Sequence, residues 1–451
     1  MKARGKGRTK SDVLPFLAGV LAGTAGAVLA RSFLPRRVFD PRLLRHSGGD
    51  VPPVVVVPGI LGCELCTKDG ARVWLNVGNA FGTHSLGLPA TLPPEKSRDG
   101  LVPGGLLGVD AVLPRLFGFT EYSDLVTLLG EAGFRRGAEQ VFRYDWRLDL
   151  IESAKALYET LETLAEGQSD HPGFTVIGHS MGGLIARYCL RYGKADPGGP
   201  VTWAGARFIR RLVLVATPSG GSLPALEALL FGERVGLSST TLAATVITRM
   251  PSIYGLLPPP ATHPLLDEKG TPLEADLLDP ETWKRFRWGP FAPTRRSDDD
   301  EGSTPPREAL QEFLTACLAR ARVFQESLER LPQSPCPRRV VILGGDCLPT
   351  LARLVVTDRP GVPRFRPRTR KDSELMFESG DGRVTRASAL SSHLPEADPD
   401  TGCGIPEARQ IFFGDTDHHG IYGQVTFQSL LLRLLLRSVP RSLPSETSPA
   451  R

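Results

Sequence analysis

Four β-branched residues in a row, Val54-Val55-Val56-Val57, stop at Pro58-Gly59. A run with no polar alternation predicts a strand buried on both faces of a parallel sheet, closed by a turn. Leu125, Leu128, Leu129 and Ala132 then recur at helical spacing over residues 122–132, and Gly133 stops them. A strand-like stretch at 141–144 precedes a helical one at 154–165, closed by Gly167. The rhythm repeats with the strand Phe174-Thr175-Val176-Ile177, a helix over 183–190, and a strand over 212–216 ended by Thr217-Pro218. Strands alternating with helices predict an α/β protein with a mostly parallel, doubly wound sheet.

After Gly221 the rhythm breaks. Residues 222–335 are proline-rich, with the run Pro258-Pro259-Pro260 and the charged stretch Ser297-Asp298-Asp299-Asp300-Glu301, which reads as a solvated loop and not a metal site. A helix emerges late, over 308–331, with Leu310, Phe313, Cys317, Phe324 and Leu328 near one face. The block reads as a cap or lid inserted into the sheet domain. Strand signals resume at 340–343 and 410–413, and a last amphipathic helix over 425–436 packs back on the sheet. The organisation that follows is a basic segment with an apolar signal or anchor helix (1–50), a first core part (51–221), the cap (222–335), a second core part (336–438) and a disordered tail (439–451).

Composition narrows the class. A chain of 451 residues holds one large α/β domain with an insertion, or two domains, and 41% hydrophobic with 23% charged residues is globular, not disordered. The net charge of +5 is small and partly N-terminal, and with no helix-turn-helix, zinc spacing or repeat it gives no case for nucleic-acid binding. Lys2, Arg4, Lys6, Arg8 and Lys10 precede the apolar stretch 13–30, which Arg31 closes. At about 18 residues it just spans a bilayer, while Val28-Leu29-Ala30 also suits signal-peptide cleavage. Either reading puts the chain at a membrane or outside the cytoplasm, although Arg31, Arg36 and Arg37 blur the orientation. Seven cysteines leave at least one unpaired. Cys63 and Cys66 have CxxC spacing without a second pair, which argues against zinc, and Cys347 and Cys403 are candidates to bridge in an oxidising compartment.

The chemistry centres on Gly178-His179-Ser180-Met181-Gly182, set between a buried strand and a helix. That context predicts the nucleophile turn of the α/β-hydrolase fold: a strained serine at the sheet's C-terminal edge, with small residues two before and two after it so that strand and helix can approach. A serine hydroxyl needs a base oriented by an acid, and in this fold the chain order is Ser, acid, His. Gly380-Asp381-Gly382 offers the acid, glycine on both sides suiting a tight turn that aims one carboxylate. Downstream stand His393, in a Ser- and Pro-flanked loop that reads as surface, and the adjacent His418 and His419 after the last strand. His418 opens a His-x-Gly-Ile pattern into the final helix and is the preferred base, with His419 the alternative. The tetrahedral oxyanion needs backbone N–H donors. Met181, after the nucleophile, supplies one, and Leu61 in the loop Gly59-Ile60-Leu61-Gly62 is the choice for the second.

In order along the chain, Pro53 to Gly62, Val73-Trp74-Leu75, Tyr144-Asp145-Trp146-Arg147-Leu148, Gly178 to Gly183, Thr217-Pro218-Ser219-Gly220-Gly221-Ser222, Leu348-Pro349-Thr350 and Gly380-Asp381-Gly382-Arg383-Val384 resemble the lecithin:cholesterol acyltransferase family. Generic hydrolases lack the Tyr-Asp-Trp-Arg-Leu stretch. The resemblance implies an enzyme that takes an acyl chain from a phospholipid onto serine and passes it to a lipid hydroxyl or to water. It carries Ser180, Asp381 and His418 as triad and Leu61 and Met181 as oxyanion donors. Arg383 and Thr385 depart from the residues usual after the acid and should leave the carboxylate untouched. The insertion matches poorly outside Ser252 to Pro258, which leaves acyl and acceptor choice open.

The expected function is thus a membrane-associated lipid O-acyltransferase or phospholipase. It would need no metal or organic cofactor, and its partners would be a lipid substrate and a membrane surface, with no nucleic acid. The rival readings are an esterase or lipase that only hydrolyses, and a non-enzymatic lipid-binding protein on a hydrolase fold.

Overall fold

A computed structural model describes residues 53–74, 86–107, 121–134, 139–166, 172–235, 238–293, 305–357 and 363–436. The apolar stretch 13–30, Leu75, the acidic run at 297–301 and the tail 439–451 lie outside these residues. No helix among the described residues is long and apolar enough to cross a membrane.

Six strands form the central sheet: β1 (Val54–Val57), β2 (Glu139–Val141), β3 (Phe174–His179), β4 (Ile209–Val215), β5 (Arg339–Gly345) and β6 (Ala408–Gly414). They lie in the order β2-β1-β3-β4-β5-β6, and every neighbouring pair is parallel. Helices cover both faces, which explains the unbroken apolar strands. Val54, Val56, Ile177, Val213 and Val341 share one core with α1 (Glu121–Glu131) and α5 (Val425–Leu436). Val55, Val57, Val176, Leu212 and Ile342 pack into the other, against α2 (Leu150–Ala165), α3 (Met181–Tyr192) and α4 (Arg307–Glu329). Alternate strand residues face opposite layers, so both sets must be apolar. With the strand–Ser180–helix turn between β3 and α3, this is the α/β-hydrolase fold.

Several boundaries differ from the sequence pattern. The strand expected at 141–144 lies at Glu139–Val141, because after Phe142, whose N–H donates to the Val56 carbonyl at 2.9 Å, the chain turns off the sheet edge. Helix α2 begins at Leu150 and not at 154, since Asp149 caps it by accepting the N–H groups of Ile151 and Glu152, both at 3.0 Å. Besides α4, the described residues of 222–335 hold four shorter helices, and the longest of these is Leu223–Phe231. Its nearly all-apolar sequence has no face to detect, and Leu223, Leu226 and Leu229 enter the same core as the sheet.

The bridge considered between Cys347 and Cys403 does not form: both thiols are free, one exposed and one buried. Cys347 Sγ reaches the Thr416 carbonyl and Cys403 Sγ the Ile405 carbonyl, each at 3.8 Å. Cys403 lies in the core, whereas Cys347 is exposed just past the end of β5.

Candidate active site

The turn after β3 is built by what its glycines leave out. A methyl group on Gly182 would lie 2.2 Å from the Val57 carbonyl oxygen, and one on Gly178 would lie 2.6 Å from the Gly183 Cα. Bare glycine therefore lets β3, α3 and the end of β1 crowd together. Ser180 stands between them at φ 52°, ψ −126°, a strained conformation for a residue with a side chain, and its N–H is tied to the Val215 carbonyl at 2.8 Å. The hydroxyl projects from the sheet's C-terminal edge at the start of α3.

The acid turn follows a returning antiparallel pair, Leu348–Leu351 with Phe377–Gly380, beyond the end of β5. Gly382 takes φ 91° and its N–H donates to Thr350 Oγ1 at 2.8 Å. Asp381 is buried, and its Oδ1 accepts the N–H groups of Arg383 at 2.9 Å and Val384 at 2.7 Å. The Arg383 side chain points away, to Glu233 at 2.9 Å, and Thr385 caps the helix Arg386–Leu390. Neither side chain contacts the carboxylate, as the sequence comparison implied.

After β6 the chain turns at Asp415 to Gly420 and lays His418 over both groups. His418 Nδ1 is 2.8 Å from Asp381 Oδ2, its Nε2 is 3.1 Å from Ser180 Oγ, and its own N–H donates to the Asp381 carbonyl at 2.9 Å. Burial alone would raise the Asp381 carboxyl, but His418 and the two backbone N–H donors hold it below the usual carboxylate range. His419 is exposed. Its backbone N–H bonds Asp417 at 3.0 Å, and its ring packs edge-on against His418 with centroids 5.3 Å apart. His393, read from sequence as a surface residue, has a buried side chain whose Nε2 is 3.0 Å from Glu329 Oε1, away from the serine.

Leu61 takes φ 65° in the loop after β1, and an added methyl on Gly59 would stand 3.0 Å from Ser180 Cβ, so this loop runs directly beside the serine. Met181 is the first residue of α3. Three long-range hydrogen bonds brace the loop: Tyr144 Oη donates to the Pro58 carbonyl at 2.7 Å, Trp74 Nε1 to Leu61 at 3.1 Å and Trp146 Nε1 to Cys63 at 3.0 Å. The Tyr144 to Arg147 stretch is thus scaffolding for the loop. Arg147 anchors it, wholly buried, with two bonds to Asp145 (2.9 and 2.7 Å) and two to Asp99 (2.6 and 2.8 Å). Burial works against its charge, and the two carboxylates outweigh that.

Asp99, Tyr122 and His179 were missed in the sequence. His179 sits inside the serine motif and was open to notice. Tyr122 and Asp99 carry no local mark. Among the described residues no cluster of His, Cys, Asp and Glu has a metal-holding arrangement.

Residues 96–287 match the model of the lecithin:cholesterol acyltransferase family. Over this stretch the chain is similar to the domain of that family. The match holds Ser180 and the Tyr144 to Arg147 scaffold, and ends before Asp381 and His418. An uncharacterized protein of Saccharomyces cerevisiae, YJR098C, is 29% identical over 160 residues, which is 35% of this chain and 22% of that protein. The match therefore spans less than a quarter of the relative's length. The solved Tle4–Tli4 complex aligns at 14% identity and a TM-score of 0.49, covering 86% of this chain and 98% of that one. The mature lipase BlEst2 of Bacillus licheniformis aligns at 12% identity and a TM-score of 0.35 over 86% and 94%. EstA from Clostridium botulinum does so at 12% and 0.37 over 88% and 91%. The acyltransferase-like domain and the hydrolase fold together support a lipid acyltransferase or ester hydrolase.

Proposed function

We propose that the protein is a lipid O-acyltransferase of phospholipase type, with Ser180 as nucleophile, His418 as base and Asp381 as the acid that orients it. The observation that carries this reading is the hydrogen-bonded chain from Ser180 Oγ through both His418 nitrogens to Asp381 Oδ2, at 3.1 and 2.8 Å. As Ser180 Oγ bonds to the ester carbonyl carbon of a phospholipid, its proton passes to His418 Nε2, and Asp381 stabilises the resulting imidazolium. The backbone N–H groups of Leu61 and Met181 receive the oxyanion, an interaction worth about 10²- to 10³-fold in rate per donor. Collapse breaks the bond to the leaving lysolipid alkoxide, which takes the proton from His418 and leaves an acyl-Ser180 ester. An acceptor alcohol, deprotonated by the same nitrogen, then attacks that ester and regenerates the serine. In these steps the protein supplies the nucleophile, the base, the orienting acid and the oxyanion donors, and the substrates supply the ester and the acceptor alcohol.

Residues 222–335 would serve as the cap that selects acyl chain and acceptor, and the apolar stretch 13–30 would bring the enzyme to a membrane or export it. The test is incubation of the full chain with vesicles of acyl-labelled phosphatidylcholine, with and without a sterol or long-chain alcohol. Labelled acyl ester that appears only with alcohol supports transfer. Free fatty acid alone under every acceptor overturns it in favour of a hydrolase. Lipid bound without any turnover, unchanged by Ser180→Ala, overturns the enzymatic reading.

A further inference from the structure

His179 is fully buried in the middle of the site, yet no step above uses it. Its Nε2 lies 3.3 Å from the His418 carbonyl oxygen, and its Nδ1 lies 2.9 Å from Tyr122 Oη. Tyr122 Oη in turn accepts the Gly59 N–H at 2.8 Å. A carbonyl oxygen can only accept, so Nε2 must carry the proton. Burial, with His418 and His419 nearby, keeps the ring neutral, and Nδ1 is then a bare acceptor. The tyrosine hydroxyl must therefore donate to Nδ1 while its oxygen receives the Gly59 N–H. Each hydrogen bond in the series has one permitted direction.

Resting on the assignment of Ser180 and His418 above, we infer that Tyr122 and His179 are positioning residues that fasten the oxyanion loop to the base loop. The series runs from Gly59, two residues before Leu61, through α1 and the residue preceding the nucleophile, to the main chain of His418. His418 is thus held at both ends of its backbone, its N–H by the Asp381 carbonyl and its C=O by His179. The Gly59 end fixes the loop that packs on Ser180 Cβ. Tyr422 closes the assembly, its ring centroid 5.5 Å from that of His179 and 6.4 Å from that of Tyr122. Neither residue reaches the reacting atoms. Their effect is to hold base and oxyanion donors in register, where a shift of about 1 Å can cost about 100-fold.

Tyr122→Phe keeps the ring and removes the hydroxyl. The expected result is a kcat lower by about 10- to 100-fold with KM nearly unchanged, in a protein that melts somewhat lower but is fully folded at the assay temperature. His179→Gln retains an amide N–H that can reach the His418 carbonyl, whereas His179→Leu does not, so the Gln variant should keep several-fold more kcat. Long-range ¹H–¹⁵N spectra of ¹⁵N-histidine-labelled protein, with the His179 signal assigned by its loss in His179→Gln, should show a protonated Nε2 and a bare Nδ1 at neutral pH. A protonated Nδ1, an unchanged kcat in Tyr122→Phe, or equal losses in the Gln and Leu variants would overturn the inference. Retained turnover in Ser180→Ala would overturn the serine assignment and with it the link to catalysis, a result separate from the tautomer, which the spectra read without turnover.

Discussion

His418 Nε2 stands 3.1 Å from Ser180 Oγ although 238 positions separate the two residues in the chain. The adjacent His419 is exposed and faces the solvent side of the same turn. This contrast separates the two histidines experimentally. His418→Ala should lower kcat by about 10⁴-fold or more, while His419→Ala should stay within about 5-fold. Steady-state turnover of a p-nitrophenyl ester of a fatty acid is the measurement, and equal losses in both variants would contradict the geometry.

The Arg147 cluster sets the stability of the loop beside the serine. Arg147→Met removes the cation and leaves Asp145 buried and Asp99 half-buried without their partner. Uncompensated buried charge costs about 3–5 kcal/mol, so urea unfolding should shift to a clearly lower midpoint. An unchanged midpoint would mean that water already satisfies the carboxylates. The double variant Asp145→Asn, Arg147→Met should recover part of the loss.

His179 gives the fold an acid limit. Burial, aided by the charges of His418 and His419, lowers its proton affinity well below the ordinary histidine value of 6.5. Below that pH the unfolded chain takes up a proton that the folded chain refuses, so stability falls as pH falls, by up to about 1.4 kcal/mol per pH unit. Asp381, beside His418, and Glu407, buried against Arg187 and Arg191, have carboxyls held low by those partners despite burial, and their stabilisation is lost in a separate, lower window. Thermal melts from pH 7.5 down to 5 should therefore show wild type losing more than His179→Gln. Parallel curves would rule out His179 as the source.

Gly182 tests the turn itself. A methyl group there meets backbone, at 2.2 Å from the Val57 oxygen, and backbone cannot step aside as a flexible side chain would. Gly182→Ala should destabilise by at least about 1–3 kcal/mol and cut acyl-enzyme formation, whereas Gly199→Ala, which has open space, should do neither. Wild-type melting and burst in Gly182→Ala would show that β1 and α3 are not pressed together as described.

The sequence by itself determined the layered sheet and the identity of the residues around the serine, because those signals are local. A β-branched run such as Val54 to Val57 marks a strand buried on both faces, and glycines around Ser180 and Asp381 mark turns that tolerate no side chain. Chain order brings His418 and His419 forward together, and the His-x-Gly-Ile pattern into the last helix favours His418. What only the tertiary structure decided are the partners that meet across the chain: Tyr122 with His179, Trp74 with Leu61, Asp99 with Arg147, and the buried His393 with Glu329. Even where one half lies in a recognisable motif, as His179, Leu61 and Arg147 do, nothing local names its partner, because the hydrogen bond forms only when the fold brings distant segments together. The helix Leu223–Phe231 was hidden for a related reason. A helix apolar on nearly every side has no periodic contrast, and only the core that buries it makes it a helix.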